Sequence, residues 1–190
     1  MTITKEDANQ ALGEIEGARG RLREAIAYGY AWPYFVLWGL AWMIGDIGTE
    51  VAPPRLDGWI WPVTSITFTA ASLVFAFIQQ RRSPYAVAKR GGWRSMASTG
   101  NIMLFLVTLM FVIQPLDAKR AHSIFGLFFG FAYILQGVWF GWRLVVLGVL
   151  LVALTLFAFY ALPLWGGYLA FMGVGGGGAL VLGGLWLRKF

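Results

Sequence analysis

Hydrophobic and polar residues are arranged along this chain in long blocks, and the first block differs from all later ones. From Thr4 to Ile26, apolar residues recur every three or four positions among charged and polar ones. Such spacing places the apolar residues on one face of a helix. Thr4 can cap this helix, and Glu6 and Asp7 suit its first turn. We therefore predict a cytoplasmic amphipathic helix in a first unit, residues 1–28.

Six apolar stretches follow in residues 29–190. Each is close to the ~20 residues that a helix needs to cross the hydrocarbon layer of a membrane. We place them at about 30–48, 59–79, 97–116, 121–140, 144–162 and 165–186. Turn signals at Gly141-Trp142-Arg143 and at Leu162-Pro163-Leu164 separate the last three stretches. The predicted fold is an all-α polytopic membrane protein, a bundle of six transmembrane helices preceded by the amphipathic helix.

The distribution of basic residues predicts the orientation of this bundle. Of the 15 Lys and Arg residues, only Arg55, Lys119 and Arg120 fall on one side of the layout. The others fall on the side that holds both termini. Because basic residues concentrate in cytoplasmic segments, we predict that both the N-terminus and the C-terminus are cytoplasmic. Compact loops and the lack of organelle signals favour a bacterial inner membrane.

Composition narrows the classes of function. Hydrophobic residues make up 58% of the chain and charged residues 13%, whereas soluble domains carry about 25% charged residues. The chain has no cysteine and one histidine, so thiolate and histidine-cluster metal sites are excluded. No charged residue needs to lie deep in a span, which argues against ion-coupled transport and against most membrane enzymes. We expect no enzyme activity, no cofactor and no metal.

Two uncharged features could line a path through the membrane. Ser65, Thr69 and Ser72 form a row of hydroxyls along the second span. Such a row could line a hydrophilic path, or it could let two helices approach closely. In the sixth span, the glycine-rich stretch 173–178 includes Gly175, Gly176 and Gly177. This stretch is either locally unwound beside a cavity or clasped tightly by neighbouring helices.

Three further sets of residues are candidates for sites or contacts. Near the outer ends of their spans, a polar cluster could form from Asp46, Gln114 and His122. Capping or hydration of each residue singly is the alternative. In the inner thirds of the third and fourth spans, Asn101 and Gln136 could pair, because a buried amide needs partners. On the fourth span, GxxxG spacing favours close helix packing at Gly126, Gly130, Gly137 and Gly141.

Two functions from different classes fit these features. The first is a channel or transporter for a small neutral or weakly charged solute, which requires a hydrated cavity lined by the hydroxyl row or the glycine stretch. The alternative is a non-transporting membrane subunit or regulator that binds a cytoplasmic protein partner through residues 4–26. In the second case the spans would associate through glycine faces, and a homo-oligomer is one form of that association. In both cases we expect no nucleic acid and anionic lipid headgroups at the inner face. The basic loop from Gln79 to Arg94 can bind those headgroups.

Overall fold

The structure is a computed structural model that describes residues 5–82, 100–113 and 117–189. All regular structure in these residues is helical. We number the helices in chain order: α1 Lys5–Val51, α2 Pro54–Arg82, α3 Gly100–Val112, α4 Ala118–Phe140, α5 Trp142–Ala161 and α6 Leu164–Arg188. Helix α6 combines α-helical and π-helical turns.

Four helices are long and apolar enough to cross a membrane, namely Arg55–Arg81, Ala118–Phe140, Trp142–Ala161 and Leu164–Arg188. They correspond to the second, fourth, fifth and sixth predicted spans. The first predicted span is part of α1, and α3 covers part of the third span with a shorter apolar helix. The all-helical, multi-pass membrane fold is therefore confirmed at the level of these four helices.

Helix α1 joins the predicted amphipathic helix and the first predicted span in one continuous helix of 47 residues. The chain does not break near residue 28, but its burial changes there. Residues 9–23 are exposed, whereas Tyr28 is fully buried. Pro33 lies inside the helix and cannot donate to the carbonyl of the preceding turn. Nearby, the Tyr30 carbonyl accepts a hydrogen bond from Gln79 of α2.

The second half of α1 packs antiparallel against α6 along a seam of glycines. A Cβ atom on Gly177 would lie 2.7 Å from the carbonyl oxygen of Gly39, so the two backbones touch at this point. Farther along the seam, Gly173 meets Ile47 at one end, and Gly184 meets the carbonyl of Trp32 at the other. The glycines let these helices approach more closely than any side chain would permit.

Helices α4 and α5 form a second antiparallel pair. Gly126 packs against Thr155, Gly130 packs against Val152, and Gly137 packs against Val145. Gly141 links the two helices with a φ of 121°, a conformation that side chains rarely adopt.

Aromatic rings fill the space between α1 and α4. The ring centroids of Phe35 and Tyr133 lie 4.7 Å apart, and those of Trp42 and Phe129 lie 6.4 Å apart. These antiparallel contacts give the bundle two ends. We call them the Asp46 end, with the α1–α2 and α5–α6 turns, and the Arg143 end, with the α4–α5 turn and the end of α6.

Candidate functional site

The two features that were predicted to line a path through the membrane are separated by α1. Helix α2, which carries the hydroxyl row, packs on α1 at Gly45 and Gly48, whereas the glycine stretch of α6 packs on α1 at Gly39. Gly39 and Gly48 are about two and a half turns apart and therefore lie on opposite sides of α1. The structure does not bring the hydroxyl row and the glycine stretch together.

The surroundings of the individual residues also differ from those expected for the lining of a path. Thr69 is exposed on the outside of α2, and the half-buried Ser72 donates to the carbonyl of Phe68 in its own helix, at 2.8 Å. Ser65 is half-buried. The stretch Met172–Gly177 is π-helical and continues without a break into Gly178–Arg188. In this stretch, Gly176 packs against Trp42, Gly177 packs against α1, and Gly175 faces Phe171.

A polar cluster forms at the Asp46 end from residues of four helices. Asp46 Oδ1 of α1 lies 3.2 Å from His122 Nδ1 of α4, and the Asp46 side chain is only 4% exposed. The Trp61 ring of α2 meets the His122 ring at 5.7 Å, edge to face. Of the predicted trio, Asp46 and His122 are in contact, while Gln114 lies outside the described residues. We use the name Asp46 cluster for these residues together with five that are described next, namely Thr49, Glu50, Lys119, Ser123 and Tyr168.

Further residues enlarge this cluster. Glu50 Oε1 accepts a hydrogen bond from the backbone N–H of Gly166 in α6. In α4, the Ser123 hydroxyl lies 2.8 Å from the Tyr168 hydroxyl of α6, and Lys119 donates to the Leu162 carbonyl. The cluster therefore ties the start of α6 to α1 and α4 through side chains of both charges.

Several buried polar atoms of the cluster have no hydrogen-bond partner within residues 5–82, 100–113 and 117–189. They are Thr49 Oγ1, Glu50 Oε2, Trp61 Nε1 and Asp46 Oδ1, the last of which has the 3.2 Å contact with His122 Nδ1 but no hydrogen bond of good geometry. Buried polar atoms normally have partners, because leaving one unpaired costs about 1–3 kcal/mol. A water or a small polar solute at the Asp46 end would satisfy them.

Sequence reasoning missed Thr49, Glu50, Trp61, Ser123 and Tyr168. The sequence did contain one indication of Glu50. It lies four residues after Asp46, so the two share a helix face if α1 extends to Val51. We expected α1 to end near residue 48, which placed Glu50 in a loop. Tyr168 gave no signal, because its contact with Ser123 joins residues 45 positions apart.

The other predicted residues lie apart from this cluster. Asn101 and Gln136 are both exposed, and no hydrogen bond joins them in the part of the chain that the structure describes. Of the predicted packing glycines, Gly126, Gly130 and Gly137 face α5, as described above. A Cβ on Gly141 would collide with the hydroxyl of Tyr28, which is buried at the Arg143 end.

The first part of α1 is a second candidate site, which we call the arm (residues 5–27). Residues 9–23 are exposed on every side of the helix, and the large apolar side chains Leu12, Ile15 and Leu22 are 58%, 48% and 61% exposed. At 1.5 Å per residue the arm is about 35 Å long. Its base forms an open groove with Phe140 of α4, lined also by Arg19 and Arg23. Leu12, Ile15 and Leu22 thus form an apolar surface that the described bundle does not cover.

No family model, no curated protein and no solved structure matches this chain. Its class is that of a multi-pass helical membrane protein. The functional assignment rests on the arm and on the Asp46 cluster.

Proposed function

We propose that this protein is a non-transporting membrane subunit or regulator that presents the arm to a protein at the cytoplasmic face. The observation that carries this proposal is the contrast within α1. One continuous helix is packed on two opposite sides from Tyr28 onwards and is exposed on all sides over residues 9–23. A continuous helix of this kind would couple the position of the bundle to whatever binds the arm.

The filled interior supports this proposal over a channel through the middle of the bundle. The glycine stretch is packed against α1, and aromatic rings occupy the space between α1 and α4. A channel through the bundle would require a hydrated cavity, whereas a subunit or regulator requires none, and the packed interior of the described bundle supports the second.

The number of spans and their orientation in the membrane are part of the same proposal. The bundle has six spans, with both termini and the Arg143 end in the cytoplasm of a bacterial cell. Consistent with this orientation, the Asp46 end carries Arg55, Lys119 and Arg120, while the other Lys and Arg residues of the described helices lie at the opposite end. Anionic lipid headgroups then surround the base of the arm, where Arg19, Arg21 and Arg23 are clustered.

Photo-crosslinking in intact membranes tests the role of the arm. A photoreactive amino acid at Leu12, Ile15 or Leu22 should give a discrete protein adduct, because these side chains form the apolar face. The same group at Gly13 or Gly20, where a Cβ would meet nothing within 4 Å, is the matched control and should give little adduct. Equal labelling at both sets of positions would contradict the proposal.

A flux measurement tests the absence of transport. Purified protein in liposomes should pass small neutral solutes no faster than lipid alone. Flux that persists after deletion of residues 5–23 would contradict a non-transporting role, since the bundle alone would then carry the activity.

The unpaired polar atoms of the Asp46 cluster favour a second candidate function, the binding or uptake of a small polar solute from the outer side. Here Thr49, Glu50 and Trp61 would hydrogen-bond the solute, next to the buried Asp46–His122 pair. The flux measurement with Glu50→Gln and Trp61→Phe tests this function, with Ser72→Ala as a control on α2. A solute flux that both cluster variants reduce and the control does not would establish it.

A further inference from the structure

The arm carries a seven-residue repeat that identifies the kind of partner it fits. Ala8, Ile15 and Leu22 are spaced by seven, and Ala11, Ala18 and Ala25 repeat three positions later. These are the a and d positions of a coiled coil over three heptads. We propose that the arm pairs with the arm of a second copy of this chain as a parallel, two-stranded coiled coil. The inference rests on the proposed function, because it names the partner of the arm.

The surface needed for this pairing is uncovered. Ile15, Leu22 and the three alanines Ala11, Ala18 and Ala25 are all exposed. Leu12 and Ile26, at e positions, extend the apolar surface along one side of the seam. Small residues at every d position allow the two helices to approach closely.

The glycines of the arm agree with the same register. Gly13 and Gly20 occupy f positions and Gly17 a c position, all directed away from the seam. Each weakens an isolated helix by about 1 kcal/mol relative to alanine. A helix with three such residues and no covered face gains most of its stability from packing against a partner. The described chain offers no such packing to residues 9–23.

Charge and membrane geometry both favour the parallel arrangement. Two copies inserted in one membrane with the same orientation point their arms in the same direction. In a parallel pair, the g residue of one heptad faces the e residue of the next heptad on the other helix. Glu14 is a g residue and Arg19 the e residue that follows, so the dimer contains two opposite-charge pairs. The g residue Arg21 faces Ile26 of the other helix and meets no like charge.

Cysteine cross-linking of the full-length chain in isolated membranes tests this pairing, because the natural chain has no cysteine. Single cysteines at Ala11, Ile15 and Ala18 should give covalent dimers on oxidation. The matched controls are single cysteines at Gly13, Gly17 and Gly20. Because a disulfide needs Cα atoms within about 7 Å, the seam positions should give about tenfold more dimer than the glycine positions. Equal yields at both sets, or no dimer at the seam, would overturn the inference.

Charge reversal provides an independent test of the register. With cysteine at Ala18 as the reporter, Glu14→Arg alone and Arg19→Glu alone should each lower the dimer yield severalfold. Co-expression of these two single variants, carrying different tags, should restore it as a mixed dimer. In that mixed dimer every Glu faces an Arg, whereas Glu14 and Arg19 of one helix are five positions apart and do not face each other. Failure of the mixed pair to form would contradict the parallel register.

The outcome for this inference can be separated from that for the proposed function. If the seam cysteines form no homodimer but the photoreactive group at Ile15 labels a different protein, the arm binds a partner and the self-pairing is wrong. If neither reagent gives a seam-specific product, both proposals fail.

Discussion

The two halves of α1 obey the same local rules and have opposite surroundings. Both are helical, and both contain glycines. In the second half, Gly39 is packed against the backbone of α6, and any added side chain would collide with it. In the first half, Gly13 and Gly20 have open space around them. The same residue type therefore permits close packing in one half and only weakens the helix in the other.

This comparison separates the part of α1 that is fixed in the bundle from the part that we propose binds a partner. The second half has neighbours on opposite sides, and its Asp46 joins the polar cluster. The first half has its apolar side chains outside the bundle. Changes in the second half should therefore affect the folding of the bundle, and changes in the first half should affect association.

The largest effect is expected for His122→Ala. This change leaves the buried Asp46 side chain without the His122 ring beside it, and leaving a buried polar group unpaired costs about 3 kcal/mol, more where the group is charged. Denaturant unfolding of the bundle in detergent micelles measures this loss. The double variant Asp46→Asn with His122→Ala should recover part of it. A His122→Ala protein as stable as the natural one would show that the Asp46–His122 contact does not support the bundle.

The next largest effect is expected at the seam between α1 and α6. Gly177→Ala should lower the free energy of unfolding by about 2 kcal/mol, since the new methyl group meets the Gly39 carbonyl and α1 must shift. Gly178→Ala is the matched control, because nothing lies within 4 Å of its Cβ position. The same unfolding experiment compares the two variants. Equal stabilities would mean that the helices do not touch at this point.

A smaller effect of opposite sign is expected in the arm. Gly13→Ala and Gly20→Ala should each stabilise the arm helix by about 1 kcal/mol, because alanine fits the helix and meets no neighbour. Hydrogen exchange of the arm amides should slow, while that of the bundle stays unchanged. Slower exchange in the bundle as well would show that the arm is packed on it.

The smallest effect is expected when the arm is removed. Deletion of residues 5–23 should change the free energy of unfolding of the bundle by less than about 0.5 kcal/mol, because residues 9–23 are exposed. The deletion leaves Tyr28 and its neighbours in place. A large loss of stability would remove the distinction between the two halves of α1.

Part of the candidate site could be predicted from the pattern of residues. Asp46 and His122 were both expected near the outer ends of their spans, and they lie 3.2 Å apart. The hydroxyl row and the glycine stretch were expected to share a path, but they lie on opposite sides of α1. Periodicity assigns residues to a face of their own helix, whereas it does not say which helix packs on that face.

The length and apolar character of the segments by themselves determined the all-helical membrane fold, because hydrocarbon leaves the backbone no partner except itself. The sequence also predicted an amphipathic helix over residues 4–26, since apolar residues three to four positions apart share one face of any helix. Only the tertiary structure decided that the helix from Lys5 continues into the bundle without a break and that residues 9–23 stay exposed. It likewise decided that Asp46 meets His122, that Glu50 meets Gly166 and that Ser123 meets Tyr168, because each pair joins helices far apart in the chain and depends on how they pack.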